Sequence, residues 1–69
     1  MRLTKHEAIA EMKVGKKVYH DLFTGDEHIW MDTNGNIVDE QYNVLTPDEY
    51  WMIRHQPYWE TDWHVVENF

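Results

Sequence analysis

Apolar and polar residues recur along the chain with two different periods. Some segments have the period of a helix and others have the period of a strand. Up to Met12, apolar residues recur at helical spacing, and Thr4 and Glu7 have the spacing of a capping box. Gly15 can adopt the left-handed conformation that ends a helix. This segment therefore predicts a first helix over residues 5–14.

Three short segments then alternate apolar and polar side chains in the way strands do. Residues 24–27 separate the first from the second, and Asn34-Gly35 between the second and third is a strong hairpin signal. Residues 39–41 make a further turn, after which residues 42–45 lead into the next helix. We expect strands over residues 18–23, 28–32 and 37–38.

A second helix begins after the last of these turns. Thr46 is a typical N-cap, Pro47 suits the first helical position, and Glu49 completes a capping box. The helix should stop by His55, because the residue before Pro57 is pushed away from helical dihedral angles.

A closing strand follows, since apolar and polar residues alternate again from Trp59 to Val66. The element order α-β-β-β-α-β predicts an α+β fold, a small antiparallel sheet of three to four strands with two short helices on one face. No linker or repeat interrupts the chain, which we interpret as a single domain over residues 1–69.

Aromatic side chains have to supply much of the core of so short a chain. The chain has no cysteine, so disulfides and thiolate chemistry are excluded, and its ten aromatic residues carry the load. We expect Trp51 and Trp63 in the core, because they lie at helix and strand spacing. The aromatic content exceeds what a core of this size covers, which predicts a homo-oligomer or an exposed binding face.

The charge is divided unevenly along the chain. Residues 1–23 carry five cations and three carboxylates, a balance of +2, whereas ten carboxylates after residue 23 face only Arg54, a balance of −9. Such a surface repels nucleic acid and attracts basic proteins. The alternative is that the acidity only keeps the chain soluble.

Membrane insertion is not expected, because no apolar run approaches the ~20 residues that a spanning helix needs. The N-terminus also lacks the apolar region of a signal peptide. We therefore expect a cytoplasmic protein.

Patterns for catalysis and metal binding are weak. Three pairs of adjacent acids occur, but adjacent residues on a strand point to opposite faces, and the pair Asp48-Glu49 suits the first turn of a helix. The five histidines lack tight ligand spacing, so we interpret them as surface or half-buried residues and expect no enzyme, no metal and no cofactor. They are His6, His20, His28, His55 and His64.

Trp30 is the best single candidate for an exposed contact. It lies on the polar register of its strand, beside His28 and Asp32, and tryptophan is enriched among interface hot spots. With the neighbouring carboxylates Asp26 and Glu27, these residues form the predicted protein-binding site.

The two ends of the chain resemble several families of small bacteriophage-encoded proteins. Residues 7–18 read EAIAEMKVGKKV, a short helix that leads through Gly-Lys into a strand, and residues 62–67 read DWHVVE, with the aspartate-tryptophan pair that closes the sheet in those proteins. One such family includes the Thoeris anti-defence proteins, which sequester a cyclic nucleotide-like signal, and relatives described as anti-CRISPR.

A second resemblance covers nearly the full length. Segments reading GKKVYHDLF over residues 15–23, EYWMIR over 49–54 and WETDW over 59–63 are similar to segments of uncharacterised phage proteins. These resemblances imply an α+β fold and a phage origin, and they assign no binding residue.

Three functions remain open at this point. The first is an acidic phage-type inhibitor that binds a host protein with a basic surface, in the host cytoplasm. The second is an oligomeric sponge for a nucleotide-like small molecule, and the third is a phage structural or assembly component.

Overall fold

A computed structural model describes residues 2–67, in which two helices pack on one face of a five-stranded antiparallel sheet. The α+β class is confirmed. The strand order is β4-β3-β2-β1-β5. The elements are α1 (Lys5–Lys13), β1 (Val18–His20), β2 (Ile29–Met31), β3 (Ile37–Asp39), β4 (Val44–Leu45), α2 (Pro47–Met52), a 3-10 helix (Pro57–Trp59) and β5 (Trp63–Val65).

Both helices begin at the capping boxes that the sequence predicts. The Thr4 hydroxyl accepts from the Glu7 amide while the Glu7 carboxylate accepts from the Thr4 amide, and Thr46 and Glu49 repeat this exchange. Gly15, after α1, has a φ of +94°. The helix limits thus follow local chemistry.

The core lies between the helices and the sheet, and Trp63 is at its centre. Its indole ring is fully buried, and its N–H donates to the Trp59 carbonyl at 2.7 Å. Trp51 is half-buried, with its ring centroid 5.7 Å from that of Trp63 and the Lys5 ammonium 4.7 Å from its ring centroid. The buried core cluster is Ala8, Met12, Val18, Ile29, Ile37, Tyr50 and Trp63.

The sheet has one strand more than the predicted range allows. Residues 42–45 were expected only to lead into α2, but Val44 and Leu45 form β4 against Val38 and Ile37. The cause is the turn before them, in which the Asp39 carboxylate holds the chain in a tight reversal.

The predicted first and last strands are both too long. β1 ends at His20, because the Leu22 amide donates to His20 Nδ1 and the Phe23 amide donates to the His20 carbonyl, which turns the chain. The last strand begins only at Trp63, because Pro57 starts a 3-10 helix in which the Glu60 amide donates to the Pro57 carbonyl.

Neither of the described helices has the length and apolar character that crossing a membrane requires.

Candidate protein-binding face

The sheet face turned away from the helices carries its own apolar side chains. Neighbours along each strand point to opposite faces, so the residues between the core positions face outward. In register, Tyr19 pairs with His64, and Trp30 pairs with Val38. We call this the open face, and it consists of Tyr19, Trp30, Val38, Val44 and His64, none of which is in the core cluster of the described residues.

Two turns of the same design border this face. In the first, Asp32 Oδ1 accepts from the amides of Asn34 and Asn36 at 2.9 Å each, and the Asp32 amide donates to the Asn36 carbonyl. Gly35 takes the left-handed position with a φ of +82°. Glycine is the residue that adopts this conformation without steric cost.

The second turn, residues 39–43, repeats these bonds. Asp39 Oδ1 accepts from the amides of Gln41 and Asn43 at 2.9 and 3.0 Å, and the Asp39 amide donates to the Asn43 carbonyl. Here Tyr42 occupies the position of the glycine, with a φ of +65°. A bulky side chain in this conformation is uncommon.

Tyr42 extends the apolar part of the open face. Its side chain is 77% exposed, and its ring lies edge-on to that of Trp30, with the centroids 6.4 Å apart. Between Trp30 and Val44 lies Val38, which is only 3% exposed although it points away from the core. We call Trp30, Val38, Tyr42 and Val44 the Trp30 patch.

The structure divides the residues that the sequence analysis proposed for binding. Asp26, Glu27 and His28 precede β2 and line one cleft, whereas Asp32 follows β2 at its other end. The Asp32 carboxylate is engaged in the first turn. Trp30 lies between the two ends, half-exposed on the open face.

The cleft has a volume of about 450 Å³. Tyr19 and Asp21 line it on the β1 side, together with Phe23, and Asp26 and Glu27 line it from the loop before β2. These carboxylates make its lining acidic. The His28 ring nitrogen Nδ1 lies 2.7 Å from the Asp26 carbonyl, a contact that fixes the loop.

Beside the cleft, His64 and Asp21 form a pair. His64 Nε2 donates to Asp21 Oδ1 at 2.6 Å, and the His64 ring stacks on Tyr19 with centroids 5.0 Å apart. Arg2 lies 3.8 Å from the other oxygen of Asp21. The pair ties β5 to the end of β1 and leaves Asp21 half-exposed.

His20 differs from the expectation of surface or half-buried histidines. It is 1% exposed, and its ring lies 4.9 Å from Trp63 and 4.5 Å from Trp59, centroid to centroid. That expectation is wrong for His20, because the alternation of β1 places it on the core side and three backbone groups bind its ring nitrogens.

Arg54, the only cation after residue 23, lies against aromatic rings. Its guanidinium carbon is 4.3 Å from the Tyr50 ring centroid, 5.4 Å from that of Trp59 and 6.0 Å from that of Phe23. Such cation–π contacts stabilise the guanidinium at this position and leave its positive charge in place.

The charges of three carboxylates act on Tyr50, a member of this aromatic cluster. Burial raises the pKa of the Tyr50 hydroxyl well above its usual value, Arg54 opposes this rise, and the charges of Glu27, Asp39 and Glu40 add to it. Ile29 at the start of β2 pairs with Asp39 at the end of β3, so Glu27, Asp39 and Glu40 lie at one end of the sheet, where Tyr42 and the cleft also lie. This end is the most acidic part of the described hairpin.

Asp39 and Glu49 make the stability of the fold depend on pH. Burial acts to raise the pKa of Asp39, but hydrogen bonds from Asn43 and Gln41 and the charge of Arg54 outweigh it and lower the pKa. Hydrogen bonds from Thr46 lower the pKa of Glu49. A lowered pKa in the folded state adds stability that is present above the unfolded values of 3.8 and 4.5 and is lost as pH falls through the folded values.

We therefore expect the urea midpoint to fall as pH drops below about 4. The double variant Asp39→Asn, Glu49→Gln should show a smaller fall, because neutral amides keep acceptor oxygens but do not titrate. Urea unfolding followed by circular dichroism at several pH values measures both curves. Parallel curves for parent and variant would show that these two carboxylates do not carry the dependence.

Within residues 2–67, no three side chains of histidine, aspartate or glutamate converge to hold a metal ion. The expectation that the chain is not an enzyme stays a prediction. So does the absence of a cofactor.

No protein family, no curated protein and no solved structure matches the chain in sequence or fold comparison. The resemblance to phage proteins therefore stays a prediction.

Sequence reasoning missed the conformation of Tyr42 beside the open face and the contacts of Arg54 with the aromatic cluster. The signal for Tyr42 is in the sequence, since DTNGN and DEQYN share their first aspartate and last asparagine, and among the three positions between them tyrosine stands in the place of glycine. The contacts of Arg54 depend on side chains from three separate segments, which no local pattern brings together.

Proposed function

We propose that the chain is a non-catalytic binding protein whose acidic sheet end and Trp30 patch dock a protein with a basic surface. One observation carries this proposal: Arg54, the only cation among residues 24–67, lies over Tyr50, Trp59 and Phe23. This single cation is outnumbered by Glu27, Asp39 and Glu40, whose charges act on the same Tyr50, and the resulting negative field favours encounter with a basic surface.

Three cations of the N-terminal segment pair with carboxylates, and two of these carboxylates belong to the acidic part of the chain after residue 23. Arg2 contacts Asp62 at 3.2 Å, Lys5 contacts Glu60 at 3.7 Å, and Lys16 contacts Glu11 at 3.5 Å. These pairs offset part of the negative charge near residues 60–62, so the acidic field of the proposal comes from Glu27, Asp39 and Glu40.

The resemblance to small phage proteins supports a host protein as the partner, with a defence-related one as the specific proposal, and the host cytoplasm as the place of action. Self-association also stays a proposal. It is supported by large apolar side chains that are more than half exposed, namely Val14, Leu22, Tyr42, Val44, Met52, Ile53 and Tyr58.

The small-molecule alternative has less support. The cleft is of a size that small ligands use, but Asp21, Asp26 and Glu27 line it and would repel the phosphate groups of a nucleotide-like ligand. The geometry offers no specific support for a phage structural or assembly component.

The test uses a short probe peptide in which arginine and leucine alternate, so that an extended chain presents cations on one side and apolar groups on the other. We expect its association rate, followed by stopped-flow tryptophan fluorescence, to fall steeply with salt. Neutralising two cleft carboxylates, with Asp26→Asn and Glu27→Gln, should slow association by about two- to tenfold without unfolding the chain.

The matched control is the pair Glu7→Gln and Glu11→Gln on α1, which removes the same charge from the helix side of the sheet. Glutamine at position 7 retains a capping-box acceptor. Equal slowing of association in both double variants would show that the rate depends only on the net charge of the chain and not on the cleft carboxylates. An association rate that neither salt nor the cleft variants change would overturn the proposal.

A further inference from the structure

Tyr42 is held in a backbone conformation that costs free energy. Its φ of +65° brings a side chain into the left-handed region, where the β-carbon crowds the following carbonyl oxygen. Strain of this kind clusters at functional sites and is retained when the surroundings enforce it.

The chain contains its own reference for this position. The turn over residues 32–36 has the same hydrogen bonds as the turn over residues 39–43, and it places Gly35 where the second turn has Tyr42. The hydrogen-bond pattern therefore does not require tyrosine. It would form with less strain if glycine or asparagine stood at position 42.

Core packing does not explain Tyr42 either. The side chain is 77% exposed, and among the described residues its ring approaches that of Trp30 edge-on, on the open face. The turn thus presents a rigid aromatic side chain to solvent, next to a half-exposed tryptophan. Tyrosine and tryptophan in this arrangement are the residue types that dominate binding energy in protein interfaces.

The charges around Tyr42 and Trp30 indicate which kind of partner binds them. Glu40 lies two residues from Tyr42 in the same turn, and Glu27 and Asp39 lie at the same end of the sheet. Arg54, the one lysine or arginine among residues 24–67, lies over Tyr50 and Trp59, and these three carboxylates outnumber its single charge. A second copy of this acidic chain would meet like charge here, whereas a basic protein would meet opposite charge.

We propose that Tyr42 is the anchor residue through which the Trp30 patch binds a basic protein, and that its strained conformation is retained for this contact. The inference rests on the proposed function and deepens it, since it names the residue that supplies most of the affinity. Carboxylates raise the rate at which the partner associates, and contacts with the Tyr42 and Trp30 rings lower the rate at which it dissociates.

The experiment compares three substitutions at position 42. Tyr42→Asn and Tyr42→Gly remove the ring and relieve the backbone strain. Tyr42→Phe keeps the aromatic ring and the strained backbone conformation. We expect the urea midpoints of the first two to be at or above that of the parent, while their affinity for the arginine–leucine peptide falls about tenfold or more, mainly through a faster off-rate. Tyr42→Phe should match the parent in both measurements.

Tyr58→Ala is the control for loss of an exposed tyrosine, since Tyr58 is 51% exposed in the 3-10 helix and distant in sequence from the patch. It should leave peptide affinity unchanged. A lower midpoint for Tyr42→Asn with unchanged affinity would make Tyr42 a structural residue and overturn the inference alone. If the parent protein does not bind the peptide in a salt-sensitive way, the proposed function is overturned, and the inference about Tyr42 is overturned with it.

Discussion

Trp63→Ala should destabilise the fold by about 3–5 kcal/mol, the largest loss we expect from any single substitution. Trp63 is 0% exposed, and its ring centroid lies 5.6 Å from that of Phe23 and 5.7 Å from that of Trp51. Alanine would leave a large cavity and would also free the Trp59 carbonyl that the indole N–H binds. In a domain this small, such a loss approaches the whole free energy of unfolding.

Urea unfolding followed by circular dichroism measures the effect, and Trp30→Ala is its matched control. The same side chain is removed, but from the open face, where Trp30 is half-exposed. We expect the Trp30 variant to lose about 1 kcal/mol, since Val38 becomes uncovered. Equal losses for the two variants would show that the sheet does not have one covered and one open face.

His20→Phe should cost about 2–4 kcal/mol although it keeps an aromatic ring in the core. His20 Nε2 lies 2.9 Å from the Tyr58 carbonyl and 2.8 Å from the Thr61 carbonyl, and Nδ1 accepts from the Leu22 amide at 3.0 Å. Because Nδ1 accepts, the proton is on Nε2 and donates to the carbonyls. Phenylalanine replaces none of these bonds and leaves partly buried backbone groups unpaired.

The comparison for this prediction is His64→Phe, which also replaces a histidine that binds across segments. The His64–Asp21 pair is partly exposed, so we expect its loss to cost less than about 1 kcal/mol. Unfolding midpoints of the two variants should therefore differ clearly. A His20→Phe midpoint equal to that of the parent would mean that His20 does not join β1 to the segment before β5.

Local chemistry made the helices predictable from the sequence. Thr4 with Glu7 and Thr46 with Glu49 form capping boxes through contacts three residues apart, so the sequence alone contains the needed information. The Asn34-Gly35 hairpin was predictable for the same reason, because one glycine satisfies the left-handed position of its turn.

The ends of the strands were harder to predict, because they depend on contacts between distant segments. β1 ends where His20 binds Leu22 and the carbonyls of residues 58 and 61, and these positions come together only in the folded chain. β4 was missed because its turn has Tyr42 at the left-handed position, where sequence rules look for glycine or asparagine.

The candidate site was predictable in part. Trp30 was identified as outward-facing from the alternation of β2, and the structure places it on the open face. Asp32 was grouped with Asp26, Glu27 and His28 by closeness in sequence, whereas the strand between them puts it at the opposite end of the hairpin. Its carboxylate organises a turn, which makes it the least suited of the group to bind a partner.

The most direct test of the central claim, that the open face and not the helix side binds a basic partner, is a titration of the ¹⁵N-labelled protein with the arginine–leucine peptide. The indole N–H resonances report on the tryptophans separately, and Trp30→Phe identifies the signal of Trp30. We expect the Trp30 indole and the amides of residues 39–44 to shift in a salt-sensitive way, while the buried Trp63 indole stays in place. Shifts confined to α1, or an unmoved Trp30 signal at saturation, would contradict the account.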